Sequence, residues 1–267
     1  MSCYHLCRHR TPIHAVEARE ECPVCCEATI DTVHSLKRGH KEVWKNHAAL
    51  YDLLVSRQDN ASTLREIRAS CVLTENTVVC EIGCGSGRLS RLLSPHVRTI
   101  HAIDNSPHMI LCAKERAESE GASNCLFYVA DNREIPIDDG TADLSLAGWT
   151  LSYLKSEAWS KDDWKEEVDV GLCELERVTK PGGVMVILET LGTACTEPTR
   201  NNHLFGHLEA SGFERRWFRT DYTFQGRLES LVLTEMFYGK STVAKMDLQG
   251  GTLAECSGIW TKSISIS

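Results

Sequence analysis

The chain has 267 residues, 42% of them hydrophobic and 25% charged, with a formal net charge of −8. This length holds one large α/β domain and a small appendage, and the acidic balance argues against a broad nucleic-acid footprint. There is no apolar run of membrane-helix length, and the N-terminus MSCYHLCRHRTPIH has no apolar centre of the kind a secretory leader carries, so the expected location is the cytoplasm, with the nucleus left open.

Residues 1–40 form a Cys/His-rich segment with almost no apolar periodicity. Cys3-x3-Cys7 and Cys22-x2-Cys25 have the spacing of a four-thiolate zinc site. So short a stretch buries too little apolar surface to fold alone, and one structural zinc ion would supply the missing stability. A tail of free thiols is the alternative. The total of 13 cysteines fits thiols or metal ligands in a reducing compartment. Cys80, Cys112, Cys125 and Cys173 fall in apolar strand or helix patterns and read as small buried hydrophobes. The domain proper is expected over 41–267. Leu36, Val43, Trp44, Leu50, Tyr51 and Leu54 draw a helical stripe over 34–56, and Ser62 to Cys71 reads as a second helix.

Thr77 to Ser90, TVVCEIGCGSGRLS, changes the pattern. A β-branched run ends in Glu81, Gly83, Gly85 and Gly87 follow on alternate positions, and a helical period starts at Arg88. Strand, glycine turn and helix open a nucleotide-binding α/β unit. Dinucleotide folds use G-x-G-x-x-G to seat a pyrophosphate on the helix N-terminus. Here the spacing is G-x-G-x-G with a carboxylate beside it. That suits a cationic ligand carrying an ammonium and a sulfonium better than a pyrophosphate.

The stretch resembles motif I of the class I S-adenosylmethionine (SAM) dependent methyltransferases, E/D-x-G-x-G-x-G, at every defined position. The resemblance implies that Glu81, Gly83, Gly85 and Gly87 bind SAM. Val97 to Asp104 reads as the second strand. Its terminal acid suits the two hydroxyls of a ribose, and by the resemblance Asp104 and Asn105 hold SAM. Ser106 caps the next helix with Pro107 in its first turn, and Met109 falls where the family packs an apolar side chain on adenine. Cys125 to Ala130 is the third strand. The Asp131-Asn132 pair after it stands where the family bonds the adenine amino group. Glu134-Ile135-Pro136-Ile137 resembles the family's usual continuation. Tyr51 stands where an N-terminal helix places an aromatic over the cofactor. A packed aromatic on an amphipathic helix is the competing reading there.

Ala142 to Ala147 reads as the fourth strand, with Gly148 expected beside the cofactor. Ligands lie beyond the carboxyl ends of strands in such sheets, so Trp149 and Tyr153 are candidates for the substrate wall. Trp159 to Val178 reads as a long helix. Arg177-Val178-Thr179-Lys180-Pro181-Gly182-Gly183 then leads into a fifth strand, Val184 to Glu189, and is similar to the small-molecule branch of the family (methyltransferase-11/25-like). Glu189, at that strand's end, is a candidate general base, with Tyr153 beside it. A helix near Asn201 to Ser211, a strand from Phe213 to Phe224, a helix from Leu228 to Tyr238 and a last strand near Ala254 to Ile264 complete the chain. His203 and Tyr222 are further substrate-pocket candidates.

The resemblance implies an α/β, Rossmann-like seven-stranded sheet of order 3-2-1-4-5-7-6, strand 7 antiparallel, with helices on both faces. The expected activity is SAM-dependent methyl transfer to an O, N or S nucleophile of a small-molecule acceptor. Two alternatives stand beside it. One is an RNA or protein methyltransferase using the zinc segment for recognition, with Arg8-His9-Arg10 and Lys37-Arg38 near Lys41 as phosphate contacts. The other is a partner protein that binds SAM without turnover. No membrane partner is expected.

Overall fold

The computed structural model describes residues 43–44, 46–157, 164–200, 202–247 and 251–266. Cys3, Cys7, Cys22 and Cys25 lie outside the described residues, so the zinc expectation meets no coordinates. Among the described residues, no group of three or more His, Cys, Asp or Glu could hold a metal ion. Nor is any helix there long and apolar enough to cross a membrane.

Two helices, α1 (Ala48–Ser56) and α2 (Asn60–Ser70), precede the sheet. The Asp59 side chain caps α2 by accepting from the Ser62 amide at 3.0 Å. The chain then alternates strand and helix: β1 (Val78–Ile82), α3 (Arg88–Leu93), β2 (Thr99–Asp104), α4 (Pro107–Glu120), β3 (Cys125–Val129) and β4 (Ala142–Gly148). Next come α5 (Leu151–Glu157), α6 (Trp164–Val178), β5 (Thr179–Thr193), α7 (His203–Ala210) and β6 (Glu214–Arg219). The tail holds β7 (Tyr222–Thr223), α8 (Arg227–Tyr238), α9 (Lys240–Val243), β8 (Thr252–Leu253) and β9 (Glu255–Ser263).

The seven-stranded sheet has the order β3-β2-β1-β4-β5-β9-β6. β9 runs antiparallel to both of its neighbours, while β1 to β5 pair in parallel. This is the expected order, with β9 as the seventh strand of the main sheet, and it is a Rossmann-like α/β arrangement. Both faces of the sheet are buried, as a parallel sheet requires. Cys80, Ile82, Met185 and Ile187 pack under α5, α6 and α7 through Leu151, Val168, Leu172 and Phe205. On the opposite face Val79, Ile100, Leu144 and Val186 pack under α2, α3 and α4 through Ile67, Leu93 and Ile110. A third cluster joins Leu54 of α1, Tyr222, Phe224, Leu253, and Leu233 and Met236 of α8 into a cap. Two arginines fix that cap to the sheet layer: the buried Asp52 on α1 binds Arg91 of α3 at 2.9 Å and Arg116 of α4 at 2.8 Å.

Several local expectations are corrected. The long helix is described only from Trp164, and residues 159–163 of the expected span lie outside the described residues. Cys173 is exposed. On α6 the buried face runs through Val168, Gly171, Leu172, Leu175 and Val178, and a position one step past Leu172 is turned about 100° away. The fifth strand is much longer than its apolar core because Thr179 already pairs with Ala142. Lys180 to Gly183 then form an irregular excursion, with Gly182 at φ +80°, before pairing resumes at Val184. Arg177 explains the resemblance in that step. It bonds the carbonyls of Ile135 and Ile137 at 2.9 and 2.8 Å, and so clamps the segment after β3 against α6. The strand expected over Phe213 to Phe224 breaks in two. At the break Arg219 grips Asp221, and the Asp221 carboxylate accepts the Glu255 amide at 3.0 Å, so the chain leaves the sheet to form β7.

Candidate functional site

The sheet order reverses direction between β1 and β4, and ligands of open α/β sheets bind beyond the strand ends at such a point. A cavity lies there. It is lined by Glu81, Gly83 and Gly85 from the end of β1, Asp104, Asn105 and Met109 from β2 and α4, and Asn132 beyond β3. Gly148, Trp149 and Tyr153 line its other wall, and Tyr51 on α1 covers it. The sequence thus brought most of its candidates to one place.

The glycine loop is shaped by contacts from three strands. Gly83, Gly85 and Gly87 all have positive φ, +60°, +55° and +78°, a region L side chains disfavour. The Gly83 amide donates to Asn132 Oδ1 at 3.2 Å and the Gly85 amide to Asp104 Oδ2 at 2.9 Å. A Cβ on Gly83 would stand 2.0 Å from Thr150 Oγ1, so the backbones approach too closely there for any side chain. Gly87 stands behind the cavity wall, packed toward Ala113 and Phe127. The other oxygen of Asp104 accepts the Ser106 amide at 2.8 Å at the start of α4. Burial pushes the Asp104 carboxyl above its usual range, and the Ser106 and Gly85 amides oppose that.

Glu81 is 2% exposed. Burial pushes its pKa up to about 7, against the opposing hydrogen bond from Ser90. A cation in the cavity would favour its ionised form. Tyr51 is buried against Phe237 with ring centroids 5.5 Å apart, and Tyr153 stands edge-on to Trp44 at 4.4 Å. Burial raises the phenol pKa of both tyrosines, so they enter the cavity as neutral hydroxyls. Aromatic faces of this kind also attract a sulfonium or ammonium.

Besides Gly87, four candidates do not line the cavity. Asp131 is bound by Arg133 through both oxygens at 2.7 Å, and this pair holds its carboxyl below the usual range; its neighbour Asn132 occupies the cavity wall. Glu189 accepts the Ser152 amide at 2.9 Å and the Ser152 hydroxyl at 2.8 Å. It therefore caps the start of α5 from beneath, and burial pushes its pKa up to about 7. Tyr222 lies in the cap, its hydroxyl 2.8 Å from that of Tyr238. His203 lines a separate groove with Trp164 and His207, where His207 Nε2 pairs with Asp169 at 2.6 Å.

The structure adds residues the sequence reading did not select. Ser86, Arg88 and Thr150 line the cavity. The Arg88 guanidinium lies 4.0 Å from the centre of the Trp149 ring, and Trp149 itself has φ +52°. The available signal for Arg88 was its position directly after the third glycine, at the first turn of α3.

Comparison with known proteins agrees with this geometry. Residues 80–187, which carry the cavity-bearing half of the sheet, match the model of a methyltransferase domain family. The chain is 29% identical over 153 residues to a malonyl-[acyl-carrier protein] O-methyltransferase of Buchnera aphidicola subsp. Baizongia pistaciae, covering 55% of each chain. It is 26% identical over 155 residues to a demethylmenaquinone methyltransferase of Staphylococcus aureus, covering 55% of this chain and 58% of that one. The match thus spans about half the length of these curated relatives. Among solved structures, a SAM dependent methyltransferase from Aquifex aeolicus superposes with a TM-score of 0.51 at 19% identity, covering 80% of this chain and 96% of that one. At that identity the likeness speaks for the fold.

Proposed function

We propose that this chain is a SAM-dependent methyltransferase that alkylates an O, N or S nucleophile of a small-molecule acceptor. The observation that carries the reading is the glycine loop. Its amides are held by Asp104 and Asn132, and its turn is closed by Thr150 at the point where the sheet order reverses. Glu81 and Asp104 in the wall favour a cationic ligand over a pyrophosphate. The reaction is an in-line displacement: the acceptor's lone pair attacks the sulfonium methyl, the C–S bond breaks, and S-adenosylhomocysteine (SAH) leaves as a neutral thioether. The leaving group is already good, so the protein's share is positioning and exclusion of water. Trp44, Tyr51, Trp149 and Tyr153 surround the place where that water would stand. A base is needed only when the nucleophile must lose a proton on attack.

The relatives above are named for malonyl-[acyl-carrier protein] and for demethylmenaquinone; the second of these supports a small-molecule acceptor. Calorimetric titration with SAH and with NADH tests the cofactor. Heat with SAH and none with NADH is expected, and the reverse pattern overturns the reading. Transfer of a labelled methyl group to a small acceptor then separates an enzyme from a protein that only binds SAM.

A further inference from the structure

Glu255 is the first residue of β9 and is fully buried, with 0% of its surface exposed. β9 runs antiparallel to β5, and Glu255 pairs with Thr193 at the carboxyl end of that strand. It therefore stands at the same edge of the sheet as the cavity, where ligands of such folds bind. Among the described residues neither of its carboxyl oxygens has a hydrogen bond, and Thr193 Oγ1 is also buried without one. A buried polar atom left in this way forfeits its bonds to water and is rare in native interiors. The next residue on the same face of β9 is Ser257, and there the polar groups are satisfied. The Ser257 hydroxyl bonds Thr220 Oγ1 at 2.7 Å, Thr220 accepts from Gln58 Nε2 at 3.0 Å, and the Gln58 side-chain oxygen accepts from Arg88.

The carboxyl looks onto aromatic rings. Tyr222 and Tyr238 lie within its electrostatic reach, with their hydroxyls 2.8 Å apart. Tyr222 stacks on Phe224 at 6.0 Å, and Phe237 stands edge-on to Tyr238 at 5.0 Å. Tyr153, in the cavity wall, is within the same reach of both tyrosines, so this group of rings lies behind the cavity. Arg200 acts on the carboxyl through space, but it is exposed and forms no hydrogen bond to it. The neighbouring acid, Asp221, is already gripped by Arg219. Burial pushes the Glu255 pKa up to about 7, and a cation beside it would favour the ionised form. An anion would meet the negative faces of the rings. A neutral hydroxyl would bond one oxygen and gain little from the rings. A cationic nitrogen suits both: it donates to the carboxylate and is attracted to the ring faces.

We infer that Glu255, with the Tyr222 and Tyr238 rings, anchors a protonated amine of the methyl acceptor. This rests on the methyltransferase reading above and deepens it, since it makes the acceptor class a cationic amine. Glu255 is a positioning and specificity residue. It holds a cationic nitrogen, and the atom that attacks the sulfonium need not be that nitrogen.

The test uses phenethylamine, phenethyl alcohol and phenylacetate, which share an aromatic skeleton and carry a cation, a neutral hydroxyl and an anion. By calorimetry on the SAH-loaded full-length protein at neutral pH, the amine should bind at least about tenfold tighter than the other two. Glu255→Gln, equal in size and without charge, should lower amine affinity about tenfold to a hundredfold, the usual range for a hydrogen bond to a charged group, and leave SAH affinity unchanged. Infrared difference spectra of the wild-type protein give a second reading that needs no variant to fold. Adding the amine should replace a protonated-carboxyl band with a carboxylate band, a change that a purely structural carboxyl would not make and that Glu255→Gln should lack. Equal binding of the three probes, no binding of the amine, undiminished amine affinity in Glu255→Gln, or an infrared spectrum that the amine leaves unchanged would each overturn the inference. A wild-type protein that gives no heat with SAH overturns the methyltransferase reading instead, so the two failures are distinguishable.

Discussion

Glu189→Gln separates a helix cap from a catalytic base. Glu189 sits at the carboxyl end of β5, 4% exposed, and both of its oxygens are occupied by Ser152. Burial lifts its pKa from 4.5 to about 7. A group whose folded pKa is raised contributes stability that is fully present below the unfolded pKa and lost as pH rises through the folded one. For Glu189 that window runs from roughly pH 4.5 to 7, and the full loss is about 3 kcal/mol at 1.36 kcal/mol per pKa unit. Glutamine keeps an oxygen for the Ser152 amide and carries no charge at any pH. The variant should therefore gain on the wild type by about 2–3 kcal/mol between pH 5 and pH 8, roughly 5–8 °C in melting temperature for a chain of this size. Glu81 and Glu255 are raised in the same direction, so both proteins lose stability with pH, and only the gap between their curves reports Glu189. Thermal melts at several pH values measure it, and SAH affinity should stay within about twofold. Parallel melting curves would refute the capping argument. A fall of about a hundredfold or more in methyl transfer would return Glu189 to the role of base.

Other substitutions probe the remaining parts of the site. Asp104→Ala removes the group we propose to bind the ribose and frees the Gly85 amide; SAH affinity should fall by about ten- to a hundredfold, a far larger effect than the shift in melting temperature, and unchanged affinity by calorimetry would remove Asp104 from the proposed cofactor site. Asp52→Ala leaves Arg91 with Glu120, 3.1 Å away, as its remaining carboxylate, deprives Arg116 of its Asp52 partner and unpins α1; it should cost about 1–3 kcal/mol of stability and weaken SAH binding through Tyr51, and a melt within 1 °C of wild type would show that α1 is held by apolar contacts alone. The cysteine spacing of the first segment predicts about one zinc per full-length chain, released in the Cys22→Ser, Cys25→Ser double variant; zinc-free, folded wild-type protein would leave the free-thiol reading.

What was legible in the sequence was whatever the backbone itself demands. Three residues at positive φ on alternate positions require glycine, and the loop they form can serve few ligands. Strands buried on both faces show as unbroken apolar runs, which placed the strands along the chain; their order in the sheet came from the family that the glycine loop resembles. What escaped was set by single steps or by distance. Asp131 and Asn132 are adjacent, and only the Arg133 side chain decides which of them faces the cavity. Cys173 differs from its buried neighbour Leu172 by one helical step. The break after Arg219 depends on an acid two residues later, which no periodicity reveals. Arg88 reads as a solvated charge at a helix start because its partner, Gln58, belongs to the α1–α2 connection, and that partner is set by Thr220 and Ser257 near the far end of the chain.

This division has a physical cause. On the proposed function the cofactor meets mainly amides and strand ends, which any chain of this fold must place in the same way. Tyr51, in the cavity wall, is set by the cap, where it packs on Phe237 and where Tyr222 and Tyr238 pack behind it. Those contacts join segments distant in sequence and are made by side chains on surfaces the fold leaves free to vary. Because sulfonium is a good leaving group, the chemistry asks little of the acceptor wall beyond shape and dryness, and a wall under so weak a chemical demand carries no motif. The acceptor is therefore to be found by measuring which molecules displace water from among these rings.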